Sequence, residues 1–216
     1  MPNFLHEVFV SDASLAPLVS RETKKGLLRK LGSRVYTTNL KERPELLVRR
    51  HMWFLVEGLF PGALIADRTA LEHRPTPEGT IFVISTKKRP VQLPGLSICP
   101  RKGEPPLQED KPFMGGLYLS CPARAYLENL RPTRIRRGTV AKTLSRKTIE
   151  ENLENILQIA GVEALQKLKS DASKIAPLLH AEKEFKSLDA LIGTLLGMRT
   201  RSQCAPYADV ARHTCL

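Results

Sequence analysis

The run Arg21-Glu-Thr-Lys-Lys-Gly-Leu-Leu-Arg-Lys-Leu-Gly-Ser-Arg-Val-Tyr-Thr-Thr38 decides how the front of this chain is read. Leu27, Leu28 and Leu31 recur at helical spacing while Arg21, Lys24, Lys25, Arg29 and Lys30 fill the other positions, which predicts a basic amphipathic helix over 21–31. Gly32 and Ser33 stop that helix, and Arg34-Val-Tyr-Thr-Thr38 is β-branched and aromatic, as strands are. Upstream, Ser11 and Asp12 can cap a shorter helix whose apolar face is Leu15, Leu18 and Val19. Helix, helix, glycine, strand is the order of a winged helix, whose second helix enters a major groove while the wing touches phosphates. Residues 1–40 are therefore expected to form a winged-helix-like, DNA-binding headpiece. Its candidate contacts are Arg21, Lys24, Lys25, Arg29, Lys30, Arg34 and Tyr36.

Outward from this run the period changes twice. Pro44 to Phe60 reads as helical, with Leu46, Leu47, His51, Phe54, Leu55 and Gly58 on one side and Trp53 and Phe54 as core anchors. After Pro61-Gly62, the segments Ala63–Ala66, Ile81–Ser85, Val91–Ile98 and Leu117–Ser120 are short, apolar or alternating, and separated by turn residues. Asp67 starts a short helix through Leu71, and Ala123–Leu130 forms another before Arg131-Pro132. Residues 41–135 are thus expected to form a small mixed sheet with short helices. The pieces are too short for a doubly wound parallel sheet, and no helix-sized crossover lies between Ile81 and Ile98. Residues 136–147 read as a basic linker and 148–197 as a helical hairpin or bundle broken at Gly161 and Pro177. From Met198 to Leu216 the apolar periodicity is lost, which predicts a disordered or aberrant tail with the look of truncation or a shifted reading frame. The fold class is α+β.

The charge sharpens the functional reading. Among 216 residues, 34 Lys and Arg face 22 Asp and Glu, a formal net charge of +12 that favours polyanionic partners. The excess is local. Arg131 to Lys147 holds seven basic residues and no acidic one, whereas Thr148 to Leu196 holds eight acidic and five basic. With 42% hydrophobic residues the chain has enough apolar material for a core. No run of about 18 apolar residues and no export signal is visible, so a cytoplasmic protein without membrane contact is expected. Cys99, Cys121, Cys204 and Cys215 form no CxxC pair, and no metal or cofactor site is expected from them. There is no Walker loop, GxGxxG, HExxH or GxSxG, so no catalytic residues are assigned.

Longer strings carry a family resemblance. They are Val19-Ser-Arg21, Lys25-Gly-Leu-Leu-Arg-Lys-Leu-Gly-Ser-Arg-Val-Tyr-Thr-Thr-Asn39, Phe60-Pro-Gly-Ala-Leu-Ile-Ala-Asp-Arg-Thr-Ala-Leu-Glu72, Gly116-Leu-Tyr-Leu-Ser-Cys-Pro-Ala-Arg-Ala-Tyr-Leu-Glu-Asn-Leu130 and Leu188-Asp-Ala-Leu-Ile-Gly-Thr-Leu-Leu-Gly197. Over residues 10–197 the chain resembles the non-catalytic N-terminal region of bacterial Fic-family (cell filamentation) proteins, itself similar to AbiEi-like type IV antitoxins and transcriptional regulators. The resemblance implies a winged-helix start, a small α/β unit, and helices leading into a Fic domain that transfers a nucleotidyl group from ATP to a protein hydroxyl. That domain's signature, His-Pro-Phe-x-x-Gly-Asn-Gly-Arg, is absent. Lys111-Pro-Phe-Met-Gly-Gly116 matches it only in part, and a lysine ammonium in place of the histidine cannot take a hydroxyl proton at neutral pH without a large pKa shift. The expectation is a non-enzymatic DNA-binding regulator. The alternative is a protein-interaction and inhibitory module of a split or truncated Fic adenylyltransferase, docking on a Fic catalytic domain or a toxin protein.

Overall fold

The computed structural model describes residues 6–133 and 140–203. Arg134, then Arg136 and Arg137 of the expected linker, and the expected tail from residue 204 onward lie outside the described residues. The protein is a mixed α+β structure whose contacts divide it between Leu144 and Ser145.

The headpiece departs from the sequence reading, with one helix in place of two and strands at 8–10 and 29–32 that the reading did not place. Strand β1 (Val8–Val10) leads into a single helix, α1 (Ala16–Lys24), followed by strands β2 (Arg29–Gly32) and β3 (Val35–Thr37). The helix expected over 21–31 therefore ends early. Gly26 takes φ +72°, its N–H donates to the Thr23 carbonyl, and the Leu27 N–H donates to the Glu22 carbonyl. Those two bonds cap the orphan carbonyls of α1 in a Schellman arrangement, and glycine meets the left-handed backbone without a Cβ penalty. Among the described residues of the headpiece there is one helix where a winged helix of the expected order has two.

The three strands pair antiparallel in the order β1-β3-β2, in register Phe9↔Tyr36 and Lys30↔Tyr36. Alternation gives the small sheet two different faces. Phe9 and Tyr36 meet Val19 of α1 and Leu28 in a small apolar cluster on one face. Val8, Leu31 and Val35 enter the main core together with Leu47, Leu55, Ile81 and Ile98. The headpiece and the following α/β region thus share one core.

That region begins with α2 (Pro44–Arg50) and α3 (Met52–Leu59), separated at His51, where the backbone leaves the helical region (φ −105°, ψ 17°). Leu47 and Leu55 are buried as expected, with Val48, Val56 and Leu59 beside them; Leu46 and Phe54, expected on the same side, are exposed. Next come β4 (Leu64–Ile65), α4 (Asp67–Glu72), β5 (Thr80–Ile84), β6 (Val91–Leu93), β7 (Leu96–Arg101), β8 (Lys111–Pro112), β9 (Tyr118–Leu119) and α5 (Pro122–Leu130). The six strands run β6-β7-β5-β4-β9-β8. β5 and β7 are parallel although no helix joins them: the chain passes out to edge strand β6, turns at Pro94-Gly95, and returns between β6 and β5.

The second unit begins at Ser145 and is helical over its described residues. Ser145 caps α6 (Arg146–Ile175), its Oγ accepting the Thr148 N–H at 3.1 Å. Gly161 breaks α6 with φ 80° and ψ −176°, as the sequence reading placed a break there. A 3-10 turn, Pro177–Leu179, leads to α7 (Glu182–Gln203), which continues past the expected end at Gly197. Lys169 and Asp189 pair at 2.6 Å between the two helices.

Candidate nucleic-acid interface

The seven candidate residues have unlike fates. Arg21, Lys24 and Lys25 share the C-terminal face of α1, at relative positions i, i+3 and i+4. Glu22, whose side chain is almost wholly buried, accepts both the Arg21 Nε and the Lys25 Nζ at 3.1 Å. The Lys25 ammonium, ahead of Arg21, holds the Glu22 carboxyl below its ordinary value, so one carboxylate fixes two cations. Lys24 is exposed and makes no hydrogen bond or ion pair with a described residue. Its charge is available to an outside anion.

On the hairpin, alternation separates neighbours. Lys30 lies on the face that carries Tyr36 and α1 and is exposed. Arg29 lies on the opposite face, half buried, and its guanidinium donates to the carbonyls of Asn39 and Glu42. Arg29 Nε is buried with no partner among the described residues. Arg29 is thus a clamp on the segment after β3, and the structure does not leave it free for a nucleic acid. Arg34 occupies the turn at φ 65°, where its N–H-bearing side chain donates from Nε to the Ser11 carbonyl at 2.8 Å and its own carbonyl accepts the Ser11 N–H at 2.7 Å. Its position is fixed and its side chain remains exposed. Tyr36 is half buried, its ring 6.1 Å from that of Phe9 and nearly parallel to it, so it packs the α1 side of the sheet.

Two polar clusters escaped the sequence reading. In the first, Glu7 accepts from Asn39 Nδ2 at 2.7 Å, meets His51 Nε2 at 2.9 Å and pairs with Arg50 at 3.3 Å; Arg50 also pairs with Glu42. The Asn39 amide, then His51, hold the Glu7 carboxyl below its ordinary value. The cluster ties β1 and the end of the headpiece to α2. His51 therefore has the structural role that a lone helical histidine is expected to have.

The second is a buried ionic chain. Arg124 is fully buried and donates to Asp110 at 2.7 Å, Glu128 at 3.1 Å, and the carbonyls of Glu104 and Pro105 at 2.6 and 2.9 Å. Glu128 also meets Arg101 at 3.1 Å, and Arg101 makes a two-pronged pair with Asp67 at 2.7 and 3.0 Å. Burial, opposed by Arg101, pushes the Asp67 carboxyl up. These charges are spent on one another and hold the 102–110 loop against α5. The only local signal was the i, i+4 spacing of Arg124 and Glu128.

The segment Lys111–Gly116 is strand β8 and the hairpin turn that leads from it to β9. Phe113 meets Trp53 edge-on at 5.3 Å, and Lys111 and Met114 are exposed. Cys121 is buried, and burial pushes its thiol up to about 11; Cys99 is half buried. Among the described residues no three His, Cys, Asp or Glu side chains gather as metal ligands, and no helix is long and apolar enough to cross a membrane. No family model, no curated protein and no solved structure matches the chain.

Proposed function

We propose that the protein is a non-enzymatic, DNA-binding regulatory module of the kind found in AbiEi-like antitoxins and at the front of Fic-family proteins, acting in the bacterial cytoplasm. One observation carries the reading: Arg21, Lys24, Lys25, Lys30 and Arg34 are all exposed on α1 and the β2–β3 hairpin, and Glu22 is the carboxylate that two of them share. The mode differs from the major-groove helix of the sequence expectation. With α1 stopped at Lys24, the contacts are to phosphates, from a short helix end and a hairpin.

Phosphate contacts release counterions, so affinity falls with salt along a slope proportional to their number. In anisotropy titrations of a labelled duplex, a Lys24→Gln/Lys25→Gln/Lys30→Gln variant is expected to lose about three from the magnitude of that slope. An unchanged slope overturns the reading. The alternative, a module that docks on a Fic catalytic domain or toxin partner, draws support from Ile159 on α6, which is 88% exposed. Salt-insensitive titrations would transfer the weight to it.

A further inference from the structure

The headpiece hairpin and the edge of the six-stranded sheet meet without a gap. A Cβ on Gly32 of β2 would lie 2.4 Å from Leu93 Cδ2 and 3.2 Å from the Gln92 carbonyl of β6. Glycine is what lets the backbones approach so closely. Beyond β6 the chain turns at Gly95, against the Glu45 side chain of α2, and there a cavity of about 490 Å³ opens. Edge strand β6 therefore joins the contact with the headpiece hairpin at Leu93 to the Gly95 wall of this cavity.

Its walls bring together two arginines distant in sequence, Arg49 from the last turn of α2 and Arg74 just after α4, above apolar Met52 and Leu96. Neither guanidinium group makes a hydrogen bond or ion pair with a described residue. The acidic groups at the rim are engaged. Glu72 is held by Arg68 through two bonds of 2.8 and 2.9 Å, and Glu78 is held below its ordinary value by its own backbone N–H and then the Thr76 hydroxyl. Among the lining side chains two guanidinium groups face two carboxylates, and it is the guanidinium groups that have no partner among the described residues. Guanidinium forks match phosphate oxygens two at a time, and an arginine pair with no internal partner is suited to that anion.

We propose that this cavity is a second phosphate seat, in which Arg49 and Arg74 receive a backbone phosphodiester of the same duplex that the headpiece holds. The inference rests on the DNA-binding reading and extends it from the headpiece to the sheet edge. It makes the site longer than the headpiece, so it is read by duplex length. Titrations use the full chain and two labelled duplexes, of about one and about two helical turns.

The Arg49→Gln/Arg74→Gln variant is expected to match wild type on the short duplex. On the long one it loses up to about two from the salt slope, and Arg49→Lys/Arg74→Lys restores most of it. Both side chains are exposed and unbonded to described residues, so the variants should keep the wild-type circular dichroism and unfolding midpoint. A folded glutamine variant with the wild-type slope on both duplexes overturns the second seat and leaves the headpiece reading intact. Absence of wild-type binding to either duplex overturns both.

Discussion

Arg29 turns toward the carbonyls of Asn39 and Glu42 while Lys30, the next residue, reaches solvent, because a strand sends consecutive side chains to opposite faces. A helical reading had put both on one basic surface. The same scale explains Arg124. Its guanidinium sits among Asp110, Glu128 and two carbonyls at 0% exposure, so Arg124→Leu leaves buried Asp110 without its cation and Glu128 with Arg101 alone. The expected loss is about 3–5 kcal/mol in urea unfolding, and a loss below about 1 kcal/mol would contradict the role given to it. Glu7 sets part of the acid limit. Its folded pKa lies below the ordinary 4.5, so its contribution is fully present above that value and fades as pH falls through the folded pKa. Asp67 has the opposite sign, since burial raises its carboxyl above 3.8; its contribution is complete below that value and fades as pH rises through the folded pKa. In Glu7→Gln the fall of the urea midpoint below pH 4.5 should be shallower than in wild type. An identical acid limb would show that the Asn39 and His51 bonds do not matter to folding.

Two glycines in the helical unit test the element scale. A Cβ on Gly161 or Gly193 would meet nothing within 4 Å, so space does not distinguish them. Backbone does. Gly161 lies at φ 80° and ψ −176°, a region open essentially to glycine alone, and Gly193 lies in the interior of α7 at no positive φ. Gly161→Ala should cost about 1–3 kcal/mol, and Gly193→Ala should gain about 0.5–1 kcal/mol. Thermal unfolding of the two variants beside wild type checks the difference in sign. The end of α1 belongs to the same class of effect. Gly26 was visible in sequence, and a glycine just past a helix is a stop signal. Leu27, Leu28 and Leu31 outweighed it because a short apolar run satisfies a helical and an extended period equally well.

At the scale of the whole molecule the +12 charge resolves into places. The segment from Thr148 to Leu196 is acidic on balance, so the excess lies in the unit that ends at Leu144, in the Arg146-Lys147 start of α6, and in residues 198–216, where Arg199, Arg201 and Arg212 outnumber Asp209. Within that first unit the headpiece is not a separate bead. Val8, Leu31 and Val35 belong to the core that Leu47, Ile81 and Ile98 complete, and Glu7 is tied to Arg50 and His51. A cation on the hairpin and one in the α2 cavity can thus be held by a single scaffold.

The sequence by itself determined what depends on near neighbours: the α+β class, the positions of β4, β5, α4 and α5, the break at Gly161, and the uneven charge. Periodicity, proline and glycine act within a few residues, and those features need nothing more. Tertiary structure alone decided that Arg29 to Gly32 would run extended, that β5 and β7 would pair in parallel, and that Arg29 would be consumed by two carbonyls. It also decided that Arg49 and Arg74 would face one cavity. Each of these turns on a partner that the local pattern does not encode, such as Asp67 for Arg101, 34 residues away. A side chain's freedom to bind something else is fixed only when such partners have been assigned.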